Sequence, residues 1–202
     1  PLVAVQTFLQ LLPDRLDDPE VTIDLRGVAL TELQRVARLL NELLGMARAS
    51  VATFAVTDLE AVVEQVVRLL QMSARKKDVI LERSGDPLPT GAADASRLKQ
   101  ALVNLVLNAI QASPAGTTVV VTTRSSVDAA GHPAVEVAIQ DEGPGIPEEH
   151  RETIFHPFFT TKDNGTGLGL PVTRQIVAEH GGSISVEGAV GRGATFVVRL
   201  PL

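Results

Sequence analysis

Asn104 and Asn108 stand four residues apart in a stretch whose apolar residues Leu98, Leu102, Leu105 and Ala109 recur at helical spacing. At 100° per residue those four fall on one stripe of a helix, and Arg97, Gln100, Asn104, Asn108 and Gln111 fall on the opposite one. A polar stripe is ordinarily the solvated face of a helix. Asparagine is a middling helix former, however, and its neutral carboxamide oxygen is the hard ligand that Mg²⁺ takes beside waters and phosphates. The two asparagines are therefore candidate ligands as well as candidate surface.

Three further segments carry side chains suited to chemistry. Asp141-Glu142-Gly143-Pro144-Gly145-Ile146-Pro147 follows a β-branched run. Any strand-to-turn junction can have that composition, but an acceptor-only carboxylate there can also take a hydrogen bond from an exocyclic amine, with Gly143 and Gly145 admitting a flat ring to the backbone. Ile154-Phe155-His156-Pro157-Phe158-Phe159-Thr160-Thr161-Lys162 holds three of the chain's six phenylalanines. It is either a packing anchor or the apolar hinge of a lid. Gly165-Thr166-Gly167-Leu168-Gly169-Leu170 then leads into a helix, where backbone N–H groups can receive an anion. It is no dinucleotide fingerprint, since Leu170 stands where the third glycine is needed, and no phosphate-loop motif occurs in the chain. Alone, this string reads as a flexible loop.

The elements that must position these residues form two units, residues 1–51 and 52–202. In the first, Val5, Phe8 or Leu9, and Leu12 keep helical spacing until Pro13 and the polar run 14–20. Leu33, Val36, Leu40, Leu43 and Ala47 then step by three and four as in a coiled-coil seam. A helical hairpin of that size buries too little apolar surface alone. Pairing two copies into a four-helix bundle would bury the seam, as would docking on the rest of the chain.

In the second unit, Thr57-Asp58-Leu59-Glu60 has capping-box spacing and predicts a helix to about Arg75. Val79-Ile80-Leu81 is a short strand, residues 87–91 a turn-rich connection, and Asp94 the cap of the asparagine helix. Residues 117–123 and 134–139 predict antiparallel strands. A helix over 170–180 stops at Gly181-Gly182, and strands over 184–187 and 194–200 complete the pattern. Helices grouped with antiparallel strands predict an α+β sandwich, with the helices on one face of a sheet.

Composition narrows the functions. Of 202 residues 45% are apolar but only 3% aromatic, so the core is built from Val, Leu, Ile and Ala. With 18 basic against 24 acidic residues and a formal charge of −6, nucleic acid is not an expected partner. No apolar run approaches the ~20 residues of a membrane span, so no membrane contact is expected. The absence of cysteine excludes disulfides, thiolate metal sites and thiol nucleophiles, and accords with a cytoplasmic setting.

Two spaced asparagines, Asp-x-Gly-x-Gly, a Phe-rich turn, Gly-x-Gly-x-Gly and Gly191-Arg192-Gly193-Ala194-Thr195-Phe196 follow one another in an order that resembles the N, G1, F, G2 and G3 boxes of histidine kinase ATP-binding domains. The resemblance covers about residues 53–202. The Phe-rich and glycine strings look like those of nitrogen-regulation-type sensor kinases. It implies a GHKL (Bergerat) α/β sandwich binding ATP or ADP with Mg²⁺, preceded by an antiparallel helical hairpin that dimerises into a four-helix bundle. Asn108 would hold Mg²⁺ and Asn104 would lie near the phosphates. Asp141 would take the adenine amine, with Gly143, Gly145 and Thr195 nearby. Gly165, Thr166, Gly167, Leu168 and Gly169 would bracket the triphosphate, and Lys162 would pair with phosphate charge. Gln111 departs from the basic residue that many members carry there.

The implied activity is transfer of the γ-phosphate to a histidine of the helical domain, then to an aspartate on a response-regulator receiver domain. In the family the acceptor histidine is followed by an acidic residue and lies five positions before an Asn-Pro-Leu proline. Since the chain begins at Pro1-Leu2, the acceptor is expected just upstream. His132, His150, His156 and His180 have no matching context, so no residue present is expected to accept phosphate, and the 202 residues are expected to bind nucleotide without phosphorylating themselves. A mechanical ATPase of the gyrase and chaperone type, or a non-catalytic nucleotide-binding scaffold, are the alternatives.

Overall fold

The computed structural model describes residues 52–127, 131–162 and 165–202, together with Leu30 and Leu33. The chain divides into two units, Pro1–Ala49 and Ser50–Leu202. The hairpin expected from Val5 to Ala47 lies outside the described residues, except that Leu30 and Leu33 are helical and about half exposed.

In the second unit the order is β1 (Ala55–Asp58), α1 (Leu59–Lys76), β2 (Ile80–Gly85), β3 (Thr90–Ala93), α2 (Ala95–Ala112), β4 (Thr118–Val127), β5 (Pro133–Gln140), α3 (Gly169–Glu179), β6 (Ser183–Gly188) and β7 (Ala194–Pro201). Short 3₁₀ turns at Glu148–His150 and Thr153–Phe155 lie between β5 and α3. Strands β2-β4-β5-β7-β6 form one sheet in that order, parallel at β2–β4 and antiparallel elsewhere.

Alternation along the strands decides what the sheet buries. Val119 and Val121 of β4, Val135, Val137 and Ile139 of β5, and Phe196, Val198 and Leu200 of β7 meet Val63, Val66 and Leu70 of α1 and Leu102, Leu105, Val106 and Ile110 of α2 in one core. This is the aliphatic core that the composition demands, with one edge-on aromatic pair, Phe155 and Phe196, at 6.5 Å. On the other face Arg124, Glu136 and Arg199 lie in register across three strands. The nearly buried Glu136 accepts from both guanidinium groups, which makes its burial tolerable. Among the described residues no helix is long and apolar enough to cross a membrane.

Two local expectations are corrected. The cap of α1 is Asp58, whose Oδ1 accepts from Ala61 N at 3.0 Å, and not Thr57. Thr57 belongs to β1 and donates across to Ala93 O at 2.9 Å, while Glu60 turns away to accept from Leu88 N at 3.0 Å. The connection read as turn-rich ends in β3, which pairs antiparallel with β1. Asp94 caps α2 as expected, accepting from Ser96 N and Arg97 N at 3.1 Å each.

Candidate functional site

The strand pair β5–β7 builds the first part of the site. One rung past the Gln140–Thr195 pair, Asp141 N donates to Ala194 O at 2.9 Å. Asp141 Oδ1 accepts from Gly143 N at 2.8 Å and from Ala194 N at 3.2 Å. The residue is 4% exposed, and among the described residues nothing takes its second oxygen, Oδ2. Burial pushes the carboxyl above the usual carboxylate range, against the Gly143 and Ala194 hydrogen bonds and the charge of Lys162, which pull it down. A buried acceptor with one committed and one free oxygen is suited to a single donor amine.

Three glycines shape this end. A Cβ on Gly143 would stand 3.0 Å from Ala112 O and 2.9 Å from Asp141 Oδ1. At Gly193, with φ +74°, it would stand 1.9 Å from Asp141 O, so the turn after β6 can close on Asp141 only without a side chain. Gly145 also serves a contact within the fold. Its Cβ would collide with Ala189 O at 2.1 Å, so it lets the two loops meet, as do the bonds Gly193 N to Gly143 O at 3.1 Å and Gly191 N to Pro144 O at 2.7 Å.

The placement of Thr195 beside Asp141 is corrected as well. Core residues of β7 are Ala194, Phe196, Val198 and Leu200, so the pleat turns Thr195 to the opposite face. Ala194 is the neighbour of Asp141. The period-two run that begins at Ala194 is the signal that would have found it.

Helix α2 joins this end to the rest. Near its C-terminus Ala112 abuts Gly143, and eight residues earlier, about 12 Å along the axis, Asn104 Nδ2 donates to Gly169 O at 3.3 Å. Between them Lys162 Nζ donates to Asn108 Oδ1 at 3.1 Å and to Gln111 Oε1 at 2.9 Å. Protein atoms around the Lys162 ammonium depress its pKa below the ordinary lysine value, Lys77 adds to this, and Asp141 works the other way. Lys77 was not foreseen. Its ammonium donates to Ile110 O at 2.9 Å and also to Gln111 O, so it satisfies carbonyls at the end of α2 and places a second cation near Lys162.

The Phe-rich and glycine segments are bonded to each other. Phe158, itself at φ +68°, donates from N to Gly167 O at 2.9 Å. A Cβ on Gly167 would lie 2.4 Å from the Phe158 carbonyl carbon. Gly165 N donates to Lys162 O at 3.0 Å, and Thr166 Oγ1 accepts from Leu168 N at 3.4 Å. Leu168 is fully buried, so its side chain anchors the segment and does not face a ligand. Helix α3 starts at Gly169 with no side-chain cap, which leaves its first N–H groups for an anion.

The set fits a magnesium nucleotide. Asn108 Oδ1 already accepts from a cation, the Lys162 ammonium. Among the described residues no cluster of three or more His, Cys, Asp or Glu could hold a metal by itself. A divalent ion here would rely on amide oxygen, water and phosphate, which is the habit of Mg²⁺.

The family described as histidine kinase-, DNA gyrase B- and HSP90-like ATPase matches residues 93–202, and the chain belongs to it. Its relatives include sensor histidine kinase ZraS of Escherichia coli (strain K12), 34% identical over 203 residues, which cover 100% of this chain and 43% of that protein. Sporulation kinase C of Bacillus subtilis (strain 168) is 34% identical over 204 residues, which cover 100% of this chain and 46% of that protein. Among solved structures, histidine kinase ThkA in complex with response regulator protein TrrA matches with TM-score 0.82 and 32% identity, covering 100% of this chain and 57% of that one. Full-length ShkA in complex with AMPPNP matches with TM-score 0.75 and 32% identity, covering 92% of this chain and 39% of that one. The chain spans less than half the length of the curated relatives it matches.

Proposed function

We propose that this chain is the ATP-binding part of a cytoplasmic sensor histidine kinase transmitter of the nitrogen-regulation type. It binds ATP or ADP with Mg²⁺ and presents the γ-phosphate to a histidine on the helical unit, and a response-regulator aspartate then receives the phosphate. The observation that carries this is the separation along α2. A buried carboxylate with a free oxygen lies beside the C-terminal end of α2, and the uncapped start of α3 is bonded to Asn104, eight residues or about 12 Å earlier along the axis of that helix, which suits the base and phosphates of one nucleotide. The ShkA complex with AMPPNP and the ThkA complex with a response regulator support the same reading.

Within it, Asp141 takes the adenine amine and Gly143 admits the ring. Asn104, Gly165, Thr166, Gly167 and Gly169 lie along the phosphates, with Lys162 beside them, and Asn108 holds Mg²⁺. Bound there, Mg²⁺ would neutralise phosphate charge, while the chain's own part is to fix the nucleotide in line with its acceptor, since phosphoryl transfer is governed by positioning and electrostatics. Asn108→Ala should make nucleotide affinity nearly indifferent to Mg²⁺ in paired calorimetric titrations. A variant with an undiminished Mg²⁺ response would remove Asn108 from this role.

Two copies pair through the seam of Leu33, Val36, Leu40 and Leu43, because a hairpin of that size cannot bury it alone. Leu40→Glu should convert a dimer to a monomer in light scattering. Equal masses for the variant and the parent would exclude the seam as the interface.

A further inference from the structure

Lys162 is committed to a definite place. Its ammonium bridges two side-chain oxygens on consecutive turns of α2, Asn108 Oδ1 at 3.1 Å and Gln111 Oε1 at 2.9 Å. Its backbone is held too: Lys162 N donates to Thr160 Oγ1 at 3.1 Å, and Lys162 O accepts from Gly165 N at 3.0 Å. The head group therefore sits where a turn delivers it, and the oxygen it takes from Asn108 is the one the proposed function gives to Mg²⁺. An ammonium and a divalent ion cannot both approach one amide oxygen closely, because their like charges repel strongly at such separations.

The surroundings favour a cation at this point. The Asp141 carboxylate attracts it across the site, and neutral amide oxygens suit either a charged nitrogen or a metal. Lys77, whose own ammonium is tied to the carbonyls of Ile110 and Gln111, limits how much positive charge the region tolerates. One cation at Asn108 is accommodated, and a second would have to displace the first.

We infer that Lys162 is an internal substitute for the metal: its ammonium holds Asn108 when no divalent ion is bound, lets the site accept a metal-free nucleotide, and moves aside when the ion arrives. The inference rests on the nucleotide reading above and adds a positioning residue whose task is exchange with the metal. A lysine that only strengthens phosphate binding would help equally with and without Mg²⁺. One that substitutes for the metal matters chiefly in its absence.

The test is calorimetry of ADP binding to the whole chain, in EDTA and in Mg²⁺, for wild type, Lys162→Met, Lys162→Arg and Gln111→Leu. Wild type should bind metal-free ADP within about tenfold of Mg-ADP. Lys162→Met should widen that ratio to about a hundredfold by losing metal-free binding while Mg-ADP stays within severalfold. Lys162→Arg should narrow the ratio again, and Gln111→Leu, which removes one of the two oxygens, should widen it in part and so serves if Lys162→Met fails to fold. Equal losses in both buffers, or no loss in either, would overturn the inference and leave the nucleotide site standing. Failure of wild type to bind ADP in either buffer would overturn both.

Discussion

Replacing Asp141 by alanine should lower affinity for adenine nucleotides by at least about a hundredfold, or 2.7 kcal/mol. The substitution removes the acceptor for the base amine and strands two buried donors, Gly143 N and Ala194 N, which now share Oδ1. Each stranded group costs about 1–3 kcal/mol. Asp141→Asn separates binding from folding. The asparagine oxygen can still accept from both backbone groups, but its NH₂ would face the base amine donor to donor, so binding should fall as far as with alanine.

The apo protein should respond to Asp141→Asn in the opposite sense. Burial raises the folded-state pKa of Asp141 above its unfolded value. The ionised form is therefore penalised in the native state at pH above that raised pKa, and the penalty fades as the pH falls and the carboxyl takes up a proton. Asp141→Asn should melt above wild type near neutral pH, and the gap should close in acid. A variant that melts below wild type at neutral pH would mean that the site stabilises the charge after all. A residue that weakens its own fold while serving the ligand is the pattern of a functional position.

The elements carrying strong local signals were legible in the sequence. Asp94 at the start of α2, the Leu98–Leu102–Leu105–Ala109 stripe and the β-branched runs of β4, β5 and β7 each agree with their tertiary setting. The site motifs were legible as a set, because glycines mark the places where backbone must approach backbone. What sequence could not give was partnership across distance. β1 and β3 are four residues each, and they exist only because they pair with one another. The role of Gly145 depends on Ala189 and that of Gly193 on Asp141, loops joined by no local signal. Thr195 was misplaced because a polar residue after Gly-x-Gly invites a ligand role, whereas the pleat of β7 gives that face to Ala194. Lys77 gave no hint at all, since a lysine at a helix end is unremarkable until the carbonyls of another helix lie beneath it.

Transfer to histidine is the central claim, and incubation with γ-labelled ATP and Mg²⁺ tests it most directly. The four histidines of the chain all lie beyond residue 130. His180 is engaged through both ring nitrogens, with the main chain of Asp94 and of Ile176 at 3.0 and 2.7 Å, and His150 makes a tilted ring contact with Phe159 at 5.4 Å. The 202-residue chain alone should therefore remain unlabelled. The same chain preceded by a helical segment bearing the expected His-Glu-x-x-Asn should gain one phosphate that is labile in acid and stable in base, and Asp141→Ala in that longer chain should abolish the labelling. Steady release of phosphate to water with no phosphoprotein at any time would contradict the account and favour a mechanical ATPase, and strong acid-labile labelling of the 202-residue chain by itself would contradict the placement of the acceptor.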